Sequence, residues 1–119
     1  MSTVTPTRIE ETMTEEAFQR WVVDVARLFK WHVHHTRPAR TRDGRWMTPI
    51  QGDRGYPDLT LARNGRIIFA ELKTEKGRPT ADQQEWLRAL KGTADAAPGL
   101  PEVYVWRPHD RTDIERLLR

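Results

Sequence analysis

Residues 56–74, YPDLTLARNGRIIFAELKT, decide the fold: two β-prone runs, Tyr56–Ala62 and Arg66–Thr74, flank Asn64-Gly65. Asn-Gly between such runs marks a two-residue hairpin, because both residues accept the positive φ of a type I′ turn. Pro57 falls at the start of its strand, where a missing N–H is tolerated. Side chains alternate along a strand, so Ile67, Phe69, Glu71 and Lys73 share one face of the second run and Ile68, Ala70 and Leu72 the other. Both faces are apolar through most of its length, the pattern of a central strand covered on two sides.

Counting outward from the turn sets what meets across the hairpin. Asp58 is the sixth residue before Asn64 and Glu71 the sixth after Gly65. That register makes the two carboxylates cross-strand neighbours on one face, and Lys73 follows Glu71 on the same face. Charges that end an apolar face need partners or a metal, because desolvating them unpaired is expensive. Two carboxylates suit a hard divalent cation such as Mg2+, which lowers the pKa of a bound water and offsets charge building on a phosphorane. Lys73 can orient or help activate the attacking water and stabilise the transition state. The pattern points to phosphodiester hydrolysis. An exposed strand-end ion pair is the competing interpretation, since PD…ExK is short and built from common residues; the hairpin register favours the catalytic one.

The remaining elements surround this hairpin. Phe18, Val22, Val25, Ala26 and Phe29 recur at helical spacing after Thr14, a fitting N-cap, and predict a helix to about Lys30. WHVHH, residues 31–35, alternates and reads as a strand. Residues 36–55 hold two prolines and three glycines without a period and read as a long loop. Thr80 and Gln83 form a capping-box pair opening a second helix with Trp86, Leu87 and Leu90 on its apolar face. GTADAAPGLP reads as a loop, EVYVW (102–106) as a strand, and Thr112–Arg119 as a short helix with its own capping box, Thr112 and Glu115. The order α-β-β-β-α-β-α is that of an α/β protein, a mixed sheet flanked by helices.

A chain of 119 residues with 37% hydrophobic and 31% charged residues supports one modest core. Residues 1–13 read as a flexible N-terminal tail and 14–119 as a single domain. Without cysteine, disulfides and thiolate zinc sites are excluded. No apolar run is long enough to span a bilayer, and the N-terminus lacks the apolar core of a secretory signal, so a cytoplasmic setting without a membrane partner is expected. The net charge of +3 is modest, but Arg37, Arg40, Arg42, Arg45 and Arg54 crowd residues 36–55 against only Asp43 and Asp53. A polyanion is a plausible partner for that segment; a solvated loop is the plain alternative.

Gly55-Tyr56-Pro57-Asp58-Leu59, Ala70-Glu71-Leu72-Lys73, the following Gly77, Gln83-Gln84-Glu85-Trp86-Leu87 and Val105-Trp106-Arg107-Pro108 together resemble the PD-(D/E)xK nuclease superfamily, and within it the VRR-NUC family. The resemblance runs from about Thr14 to the C-terminus. It implies a restriction-endonuclease-like fold and a VRR-NUC-like nuclease domain that cuts DNA with Mg2+, Mn2+ substituting. Small stand-alone members, often carried by bacteriophages and so acting in a bacterial host's cytoplasm, are associated with branched DNA such as Holliday junctions and act as homodimers. A two-fold axis suits symmetric cutting of two strands. Matched by position, the resemblance assigns metal binding to Asp58 and Glu71 and catalysis to Lys73. It also points to Gln83 and to an acidic residue at the start of the first helix. Glu15 continues the Phe18, Val22, Val25 face and is the better candidate for that metal ligand than Glu16; a first-turn carboxylate favoured by the helix dipole is its alternative. Gln83 already serves as capping partner of Thr80.

Lys76 and Arg78, just beyond Lys73, are candidate phosphate contacts with Arg37, Arg40, Arg42 and Arg45, and Trp46 is a candidate DNA contact, whereas Trp21 and Trp86 sit near apolar helix faces. His32, His34 and His35 make a poor metal set, because no third ligand is placed and Mg2+ prefers oxygen. The expected activity is a structure-selective endodeoxyribonuclease on branched DNA. A nicking, flap-cutting or sequence-selective endonuclease and a non-catalytic DNA-binding accessory protein are the alternatives. The intact Asp58, Glu71 and Lys73 argue against the last.

Overall fold

In the computed structural model residues 5–35, 39–40, 44–47, 52–97 and 99–119 are described, those at 39–40 and 46–47 by backbone alone. In chain order they form helices α1 (Arg8–Thr12) and α2 (Glu15–Leu28), strands β1 (His32–His35), β2 (Ala39–Arg40), β3 (Trp46–Met47), β4 (Leu59–Arg63) and β5 (Arg66–Leu72), helix α3 (Ala81–Ala96), strand β6 (Glu102–Trp106), a 3-10 turn (Pro108–Asp110) and helix α4 (Arg111–Leu118).

Asn64 and Gly65 both take positive φ, 48° and 81°, and close the β4–β5 hairpin with Arg63 opposite Arg66 and Leu59 opposite Ala70. Strand β1 extends the sheet antiparallel to β4, and β6 joins β5 in parallel after the crossover through α3. The result is a mixed open sheet in the order β1-β4-β5-β6, with β5 central as its two apolar faces require. The two faces are not equal. Ile68, Ala70 and Leu72 are fully buried with Leu59 and Leu61, beneath Phe18, Val22 and Ala26 of α2 and Ile114 and Leu118 of α4. Each such large side chain contributes about 1.5–3 kcal/mol by leaving water. On the other face Ile67 and Phe69 are half-buried; Phe69 meets Tyr56 edge-to-face, and Tyr56 in turn meets Trp86 of α3.

Four expectations change. Residues 8–12 of the expected tail are helical, because Thr7 and Glu10 form a capping box (Glu10 N to Thr7 Oγ1 at 3.2 Å, Thr7 N to Glu10 Oε1 at 2.7 Å) and Met13 packs on the core. Residues 1–4 lie outside the described ones. The expected long loop contains a short antiparallel pair, β2 on β3. Helix α3 continues through GTADA to Ala96, where Thr93 Oγ1 bonds the Ala89 carbonyl and the intervening residues tolerate helix. Helix α4 starts at Arg111 rather than after Thr112, because the Pro108–Asp110 turn feeds straight into it and Asp110 occupies the cap position. Among the described residues no helix is long and apolar enough to cross a membrane.

Candidate active site

The hairpin register carries Asp58 and Glu71 to the same end of the sheet. Leu59 pairs with Ala70, so Asp58, one residue before β4, stands opposite Glu71. Asp58 Oδ2 accepts the Leu72 backbone N–H at 2.8 Å, continuing the ladder with a side chain where the strand has ended. Glu15, in the first turn of α2, comes in over this end; Thr14 starts that helix as predicted, accepting the Ala17 N–H at 3.1 Å. One carboxylate oxygen from each of Glu15, Asp58 and Glu71 lies within 4.8 Å of the others.

Burial makes this grouping electrostatically tense. Glu71 is 0% exposed, and no donor among the described residues satisfies either oxygen of its ionised carboxylate. Its pKa is pushed up to about 9, first by burial, then by the hydrogen bond its protonated form shares with the Asp58 carboxyl and by the charge of Asp58, while the charge of Lys73 pulls the other way. Glu15 is exposed overall, yet its carboxyl reaches the cluster; partial desolvation and then Asp58 raise its pKa, opposed again by Lys73. An all-oxygen set with an orphaned, fully buried carboxylate fits a hard divalent cation such as Mg2+ or Mn2+, whose charge would offset the repulsion. In this respect the residues present suit the metal.

Lys73 lies one residue beyond β5, buried at 9% exposure, and its N–H donates to the Trp106 carbonyl at 3.0 Å. Gln83 is used as the helix-capping residue: its Oε1 accepts the Thr80 N–H at 2.8 Å, and its own N–H donates to Thr80 Oγ1 at 3.2 Å. Of the basic candidates, Arg45, Lys76 and Arg78 are exposed; Arg37 and Arg42 lie outside the described residues, as do the side chains of Arg40 and Trp46. His32 and His34 are exposed on β1, and His35 pairs with Gln19 at 3.2 Å.

Two residues acquire roles that pattern alone did not supply. Gly55 takes φ +93°, and a Cβ there would stand 2.5–2.7 Å from backbone atoms of Asp82 and Gln83. The chain leading to Asp58 thus lies directly on the start of α3, a contact only glycine permits. Arg107 Nη1 donates to the carbonyls of Thr74 (2.6 Å) and Gly77 (2.5 Å) in the turn after Lys73. Both positions belong to the stretches that carry the family resemblance, which was the available signal.

Comparison of the chain with protein-family models and with curated proteins finds no match to either.

Proposed function

We propose that this protein is a metal-dependent DNA endonuclease of the VRR-NUC type, built on a restriction-endonuclease-like version of its α/β sheet. The observation that carries the reading is Glu71: a buried carboxylate that no donor satisfies, grouped with Asp58 and Glu15 and acted on by the charge of Lys73. A fold gains nothing in stability from such a group, since the buried carboxyl must either hold its proton against its ordinary pKa or carry an unpaired charge. Perturbed carboxylates in a cluster are characteristic of functional sites.

Asp58, Glu71 and Glu15 would hold the cation. Such an ion supplies, when bound, Lewis acidity toward a phosphate oxygen and a more acidic water. Asp58 stays oriented by the Leu72 N–H, so its remaining lone pairs face the cluster. The charge of Lys73 acts on Glu71 and Glu15, and its amine would hydrogen-bond the attacking water or a phosphate oxygen. The exposed Lys76 and Arg78 just beyond Lys73, with the arginines of residues 36–55, would track the DNA backbone. Branched DNA as preferred substrate and a homodimer with two sites follow from the family resemblance.

The test is cleavage of a four-way junction, a flap, a nicked duplex and a linear duplex, with Mg2+ and with EDTA, by the wild type, Asp58→Ala and Lys73→Ala. Cleavage of the junction that needs Mg2+ and both side chains supports the proposal. Activity that survives both substitutions refutes the site, and preference for the linear duplex refutes the branched substrate. Sedimentation of the free protein tests the dimer.

A further inference from the structure

The VWRP stretch that ends β6 has no part in the proposed chemistry, yet it reaches the turn behind Lys73. Trp106 closes the last β5–β6 rung by accepting the Lys73 N–H at 3.0 Å. Arg107 follows, and its Nη1 sits where backbone carbonyls of the turn converge: Thr74 at 2.6 Å, Gly77 at 2.5 Å and Glu75 at 3.4 Å. Carbonyl dipoles aimed at one point repel each other unless a cation or donor stands there. The turn is also held from its other side. Glu75 accepts the His109 backbone N–H at 2.6 Å and pairs with His109 Nδ1 at 2.8 Å, while Asp110 Oδ2 accepts the Arg107 N–H at 2.9 Å.

The turn begins at the residue after Lys73 and passes beside its stem. Gly77 bonds back to Thr74 through Thr74 Oγ1 (3.0 Å), and a Cβ built on Gly77 would lie 3.6 Å from Lys73 Cδ. Arg107 thus ties down the carbonyl of Thr74, the residue that follows Lys73, and that of Gly77, where the missing side chain leaves room beside the lysine stem. We propose that Arg107 is a positioning residue, which closes the Thr74–Gly77 turn beside Lys73 and so fixes where the amine stands relative to Glu71 and Asp58. The inference rests on the catalytic role proposed for Lys73. Placement matters there, because an error of about 1 Å in a catalytic group can cost about 100-fold in rate. Arginine suits the task better than lysine: the planar head fixes the direction of the two N–H donors on Nη1, the nitrogen that makes all three contacts, whereas an ammonium is a point charge on a flexible stem.

The test compares Arg107→Met and Arg107→Lys with the wild type by DNA cleavage kinetics at saturating Mg2+. In parallel, NMR of 13C-labelled lysine side chains follows Lys73, assigned among the four lysines by Lys73→Arg. Arg107→Met should lower kcat roughly 10- to 100-fold, leave KM and its salt dependence unchanged, and shift or broaden the Lys73 resonance. Arg107→Lys should recover part of both. A lowered melting temperature with kcat and the resonance unchanged overturns the proposal and leaves Arg107 a plain structural tie. A raised KM with unchanged kcat overturns it in favour of a phosphate contact. If Arg107→Met does not fold, Arg107→Lys carries the same readouts. Should the wild type cut no DNA, the nuclease reading fails by itself, and the Lys73 resonance still decides whether Arg107 sets that side chain.

Discussion

Replacing Glu71 by glutamine should make the metal-free protein more stable while abolishing its function. Glu71 ionises near pH 4.5 in an unfolded chain and near 9 in the folded one. Between those values the unfolded state has released a proton that the folded state still holds, so folding becomes less favourable as pH rises through this window and levels off above it. At about 1.4 kcal/mol per pH unit, the group costs about 3 kcal/mol of stability at pH 7. Glutamine removes the ionisation but brings a buried amide whose own desolvation returns about 1–2 kcal/mol of that gain. The net expectation is a stabilisation of about 1–2 kcal/mol, or roughly 4–8 °C in melting temperature for a domain of this size. The assay is thermal unfolding of wild type and Glu71→Gln from pH 4.5 to 9, in EDTA and in Mg2+. In EDTA the variant should melt below the wild type near pH 4.5, where the carboxyl is largely neutral and only the amide penalty counts, cross it between about pH 5 and 6 and gain on it as pH rises further, and Mg2+ should raise only the wild-type transition. Because the metal needs the carboxylate, its binding to the wild type should release protons at pH 7 and tighten as pH rises. A variant that melts below the wild type in EDTA at every pH, or that Mg2+ stabilises equally, refutes the reasoning.

Other substitutions separate the roles around the cluster. Asp58→Ala strips the Leu72 N–H of its acceptor, whereas Asp58→Asn keeps one; both should lose cleavage, with the alanine variant less stable than the asparagine one by about 1–3 kcal/mol in denaturant titrations. On the proposed division of roles, in which Lys73 acts on the reaction and holds no metal, Lys73→Met should lower kcat at least about 100-fold while Mg2+ still raises the melting temperature; loss of the Mg2+ effect as well would count against that division. Gly55→Ala drives a Cβ into the Asp82–Gln83 backbone at a φ that disfavours side chains, and should cost at least about 2 kcal/mol in chemical denaturation; a change under about 0.5 kcal/mol would show that α3 can move aside.

How far the sequence alone reached depended on the range of the forces involved. The β4–β5 hairpin, the register of Asp58 against Glu71 and the caps at Thr14 and Thr80 were all readable, because each is set by residues within a few positions of one another: Asn-Gly for the turn, a hydroxyl three residues before its N–H for a cap. The same local rule applies at Thr7 and Glu10, whose capping box opens α1. Where two local signals competed, at Thr112, position in the chain won: the Pro108 turn had already begun the helical path.

Tertiary structure alone decided the rest. Alternation predicted two apolar faces for β5, but only packing made one of them the fully buried seat of α2 and α4 and left Phe69 to a thinner aromatic cover. Glu15 lies 43 positions before Asp58 in the chain, and no periodicity could bring their carboxylates within 4.8 Å; the docking of α2 did. Gly55 against α3 and Arg107 against the Thr74–Gly77 turn are contacts between segments far apart in sequence, marked in the letters only by their place in the stretches that carry the resemblance and without a partner. Sequence by itself determined the hairpin and hence that Asp58, Glu71 and Lys73 share one end of a sheet, since backbone conformation and strand alternation are local properties. The depth at which Glu71 is buried, and with it the raised pKa and the orphaned oxygens, came from packing, because desolvation is the sum of everything the fold lays around a group.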